Sequence, residues 1–69
     1  MFATTSPEKI GENLKRLIKE SEYGTQERFA QAASVSGRTV RRWVGRIEKI
    51  SVLVKVAKLL NVDVRALLF

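Results

Sequence analysis

Between positions 37 and 46, arginines and apolar residues interleave at a spacing that an α-helix sorts into two faces. At about 100° per residue, Arg38, Arg41, Arg42, Gly45 and Arg46 share one arc, while Val40, Trp43 and Val44 share the opposite one. A chain containing this segment has to bury the second arc and leave the first in solvent. The helical angle of Trp43, beside Val40 and Val44, predicts a core residue rather than an aromatic free to stack on a base.

The charge of the chain follows the same geometry. Of the 23 residues from 36 to 58, seven are basic (Arg38, Arg41, Arg42, Arg46, Lys49, Lys55 and Lys58) and only Glu48 is acidic, so the window carries +6, the whole net charge of the protein. The rest of the chain is balanced. A localised basic stripe on a rigid element is what a protein that docks on a polyanion presents, and nucleic acid is the commonest polyanion. A single arginine on a helix is ordinarily just a solvated charge; four on one arc outweigh that reading.

Size and composition narrow the alternatives. Sixty-nine residues make one domain, 1–69, with little room for a deep substrate pocket. The chain has no Cys and no His, which removes disulfides, thiolate metal sites and the commonest general base. Its seven carboxylates are scattered over Glu8, Glu12, Glu20, Glu22, Glu27, Glu48 and Asp63, with no acid–base pair or metal cluster among them. The expectation is therefore no enzyme, no metal and no cofactor. Positions 1–6 lack the charged start and apolar run of a signal peptide, and no stretch approaches the length of a membrane span, which predicts a cytoplasmic address.

Caps and periodicity predict five short helices at about 7–22, 25–32, 36–45, 51–60 and 63–69. Ser6, Pro7 and Glu8 form a helix start, and Ile10, Leu14, Leu17 and Ile18 then line one face, with Gly24 as the stop. Thr25 caps the second helix, whose apolar stripe is Phe29, Ala30 and Ala33, and Ser36 caps the third. The stretch 46–49 reads as a loop with Ile47 or Ile50 turned inward. Leu53, Val56, Ala57 and Leu60 resume the helical period, and Asp63 caps the last helix, with Val62 and Leu67 at the spacing of a hydrophobic staple. No alternating strand pattern is present, so the fold class is all-α, a compact five-helix bundle.

The stretch 25–43 resembles the helix-turn-helix of the phage repressor and Cro family, also called Xre-like, a lambda-repressor-like DNA-binding domain. The residues that carry the likeness are Gln26 after Thr25, the small Ala30, the pair Val35 and Ser36 at the turn, and Val40 followed by Trp43 on the third helix. Ala30 suits a close helix crossing, and Val35, Val40 and Trp43 suit the space beneath it. The likeness reaches Ile10 and Gly11 in the first helix and 56–62 near the end. Ser34 stands where the family usually has glycine at a left-handed turn position, which predicts strain of about 1 kcal/mol or an altered turn.

The resemblance implies a sequence-specific double-stranded DNA-binding transcriptional regulator, most often a repressor, with its third helix in the major groove. Base-facing positions then fall on Gly37, Arg38, Thr39, Arg41 and Arg42, and arginine there reads guanine through paired hydrogen bonds. Phosphate contacts fall on Thr25 and Gln26, extended by Arg46 and Lys49. Such proteins commonly pair as homodimers on palindromic operators, and the apolar ending Val64, Leu67, Leu68 and Phe69 is suited either to a two-fold contact or to closing the core. The setting implied is a prokaryotic or phage-encoded, nucleoid-associated regulator. The alternative is a protein-interaction module, antitoxin-like or polymerase-binding, whose basic face receives an acidic partner. A membrane-surface role is disfavoured, because the apolar face opposite the arginines is committed to the core.

Overall fold

The computed structural model describes residues 6–69; the expectation that no targeting segment lies at the start rests on positions mostly outside that range. Five helices follow in chain order: α1 Pro7–Glu20, α2 Gln26–Ala33, α3 Gly37–Gly45, α4 Ile50–Leu60 and α5 Arg65–Leu68. There is no strand among the described residues. The radius of gyration is 10.7 Å, close to the ~11 Å expected of a compact chain of this length. No helix of the described residues is long and apolar enough to cross a membrane.

The α1 helix starts as its sequence dictates. The Ser6 side chain accepts the Lys9 amide hydrogen, Pro7 takes the first helical position, and Ile10, Leu14 and Ile18 are buried along one face. It ends at Glu20, two residues short of the expected limit. The Ser21 hydroxyl and amide both donate to the Ile18 carbonyl, closing the helix early. The chain then turns through Gly24 at φ 74°. This early stop lets Tyr23 swing back so that its ring meets Phe29 edge-on at 5.4 Å and its hydroxyl donates to the Leu59 carbonyl of α4 at 3.1 Å.

Two contacts of α1 set the packing. At Gly11 a Cβ would lie 2.7 Å from the Val44 carbonyl oxygen and 2.9 Å from backbone atoms of Trp43 and Gly45, so α1 crosses the end of α3 with nothing between the two backbones. Beside it, Asn13 is 1% exposed; its Nδ2 donates to the Leu67 carbonyl at 2.7 Å, tying α1 to α5, and its Oδ1 accepts from Arg16. The amide is satisfied, as a buried polar group must be.

Of Ile47 and Ile50, Ile47 is the buried one, at 1% exposure in the loop after α3, and its amide donates to the Pro7 carbonyl. Ile50 is 58% exposed and opens α4 one residue earlier than expected, on Lys49, which makes no side-chain cap. Leu53, Val56 and Ala57 face the core. The α5 helix begins at Arg65 rather than at 63, with Val64, already at helical φ −53° and ψ −32°, in the cap position. Asp63 still performs the capping, its Oδ1 accepting the Arg65 amide hydrogen. Hydrogen bonds from the Arg65 guanidinium and amide hold the Asp63 carboxyl below its ordinary range.

The close crossing gives a sharp test. Gly11→Ala pushes a methyl group into backbone that has no rotamer to yield, so a loss of about 1–3 kcal/mol in urea unfolding is expected. Gly45→Ala, where an added Cβ meets nothing within 4 Å, serves as the control and should leave stability unchanged or slightly higher.

Candidate nucleic-acid interface

The geometry of the basic surface is set by the connection between α2 and α3. Ser34 takes the left-handed conformation at φ 59° and ψ 39°, its amide donating to the carbonyls of Ala30 and Gln31. The Val35 amide reaches back to Ala30 at 3.0 Å. These are the paired bonds of a Schellman motif, and a serine fills the place that glycine takes without strain. Asn61 ends α4 in the same way, at φ 56°. Ser36 then caps α3, accepting the Thr39 amide hydrogen at 3.2 Å, and its hydroxyl also bonds that of Thr39 at 3.0 Å.

This connection brings the first turns of α2 and α3 to one place. Thr25, Gln26, Glu27, Gly37 and Arg41 line a shared surface cavity of about 310 Å³. Residues expected on phosphate (Thr25, Gln26) thus adjoin residues expected on bases (Gly37, Arg41). Thr25 also caps α2, its hydroxyl accepting the Arg28 amide hydrogen. The first-turn amides beyond the cap have no carbonyl a turn earlier to bond, so this corner carries the positive end of the α2 dipole. Glu27 adds an acid to the same wall.

Along α3, Arg38, Arg41 and Arg42 are exposed, and no ion pair engages them among the described residues. Thr39 is half-buried and held by Ser36, so its hydroxyl belongs first to the cap. Arg46 differs from the other arginines. Its Nη2 lies 3.5 Å from both Glu8 of α1 and Glu48 of the following loop, so two carboxylates already offset its charge. Those pairs are exposed and worth about 0–1 kcal/mol each, but they make Arg46 a weaker phosphate ligand than its place in the sequence suggests. Lys49 is exposed at the mouth of a separate groove.

Trp43 is on the core side of α3, as its helical angle predicts. It packs against the core but is only half-buried, because it sits at the end of α3 where the loop turns away. Its outer side lines a groove of about 270 Å³ together with Arg42, Arg46, Ile47, Glu48, Lys49 and Val52. A further cavity of about 220 Å³ lies beneath the start of α2, where Lys15 and Lys19 of α1 face Gly24, Thr25 and Gln26. These lysines fall in the charge-balanced part of the chain; the signal available for them was their i, i+4 spacing, which sets them on one side of α1.

The apolar ending divides. Leu67 is fully buried and closes the core, its carbonyl held by Asn13, so it is not open to a two-fold contact. Val64 and Leu68 are half-buried against the core, and Phe69 is 77% exposed. Comparison with known proteins gives no match: no protein-family model, curated protein or solved structure is significantly similar to the chain.

The left-handed serine generates a measurable expectation. Ser34→Gly removes the Cβ strain and should raise stability by about 1 kcal/mol in thermal or urea unfolding. An unchanged or lowered stability would show that the turn carries no strain to relieve.

Proposed function

We propose that α2 and α3 form a helix-turn-helix of the phage repressor and Cro (Xre-like) type, and that the protein is a sequence-specific double-stranded DNA-binding regulator of transcription. The observation that carries this reading is the row of exposed arginines without ion-pair partners, Arg38, Arg41 and Arg42, running from the corner where α2 begins. A duplex offers phosphates to the α2 start and base edges to the α3 face at the same time. Arg38 and Arg42 read guanine in the major groove, Arg41 and Gly37 lie at the junction of base and backbone, and Thr25 and Gln26 hold phosphate. Lys49 adds a contact farther along the backbone. Arg46 contributes to the extent that the duplex draws it from Glu8 and Glu48.

One such domain covers too few base pairs to be selective alone, so the reading includes pairing of two copies on a palindromic operator with half-sites about 34 Å apart. Phe69, with Val64 and Leu68 beside it, supplies the apolar surface for that contact. Repression by occupying a promoter, in the cytoplasm of a prokaryotic or phage-infected cell, is the simplest outcome of such binding.

Selection from a random duplex pool at about 150 mM salt tests the central claim, since purely electrostatic binding is already weakened there. An inverted repeat with guanines is the expected product. On the selected site, Arg42→Ala should cost about 1–3 kcal/mol and relax preference at one base pair, whereas Lys49→Ala should weaken selected and random duplexes alike and lower the salt slope by about one. Equal losses on both duplexes for Arg42→Ala would remove its base-reading role.

A further inference from the structure

Duplex recognition does not explain the groove at the end of α3, because its floor is apolar. Trp43 and Val52, both half-buried, supply most of that apolar surface, with the buried Ile47 beside them, and the space of about 270 Å³ accepts a large hydrophobic side chain. Around it stand Arg42 and Lys49, both exposed, with Arg46 already held by Glu8 and Glu48. Three cations against the single carboxylate of Glu48 leave the lining positive. A phosphodiester backbone satisfies such a rim but leaves the floor unfilled. A second copy of this chain, at +6, is repelled from it.

We propose that this groove docks a segment of a partner protein in which acidic residues flank a large apolar side chain. The apolar side chain covers Trp43 and Val52, and the flanking carboxylates pair with Arg42 and Lys49. Because Arg42 also lies on the α3 face assigned to DNA, an occupied groove and a bound duplex exclude one another. That last consequence rests on the DNA reading; the docking itself does not.

Trp43 is the only tryptophan in the chain, so its emission reports the groove directly. The probe is a short acetylated and amidated peptide with aspartates flanking a pair of leucines; in its control, serines replace the leucines. The leucine peptide should shift Trp43 emission saturably and release a labelled duplex, and the control should bind about tenfold more weakly. Val52→Glu, checked for folding by circular dichroism, should weaken the peptide by about tenfold. Lys49→Glu, on an exposed side chain, should likewise weaken the peptide and decides the matter if Val52→Glu does not fold.

Equal binding of the two peptides, or no effect of either substitution, overturns the proposal. So does a dimer in sedimentation that dissociates on Val52→Glu, which would give the groove to a second copy. A protein that ignores every duplex but binds the leucine peptide refutes the DNA reading alone. A protein that binds duplex without any peptide signal refutes the groove alone.

Discussion

Where α1 crosses α3 the two backbones touch, and Gly11 is the residue that permits it, with the Val44 carbonyl in the place a side chain would occupy. Much of the remaining architecture follows from that approach. It brings the Pro7 carbonyl to the Ile47 amide, which anchors the loop between α3 and α4, and it sets Glu8 beside Arg46. With the end of α3 fixed against α1 and Val40 buried beneath it, rotation about the α3 axis is arrested. The arginine side is outward because the other side has no freedom left. Side-chain packing of ordinary size at position 11 would separate the helices and loosen all of these contacts together.

The connection from α2 to α3 is settled by backbone hydrogen bonds rather than by volume. A left-handed residue followed by a reach-back amide stops α2, and two residues after Ser34 the chain reaches Ser36, which caps α3. So short a connection places the two helix starts side by side. The same device recurs after α4 at Asn61. Both positions use polar residues with short side chains, the types that tolerate this conformation best after glycine.

The helical content could be read directly from sequence because the caps Ser6, Thr25 and Ser36 and the apolar periods agree with one another, and consistent local signals define elements well. Helix limits were harder. Nothing in the pattern around Ser21 reveals that its hydroxyl will take the Ile18 carbonyl, and the contacts of Tyr23 with Phe29 and Leu59 that accompany the early stop are made across the fold. Asn13 gives no sequence signal, because a polar residue beside an apolar stripe ordinarily faces water and its partner is a main-chain oxygen that no sequence pattern marks. The arginine face was visible as an arc, but its unevenness was not. Arg46 meets Glu8 only after α1 has folded across the end of α3, and the shared cavity at the helix starts exists only once the turn has formed. Trp43 had the correct angle yet an incomplete cover, because the chain bends away just beyond it.

The hydrogen bond from Asn13 to Leu67 spans 54 positions, and this has a bearing on how the protein is made. Its donor leaves the ribosome early and its acceptor late; at ~5–20 residues per second, about 3–11 s separate their synthesis. Through that interval α1 lacks its contact with α5. The contact between α1 and α5 can therefore form only after residues 65–68 have emerged.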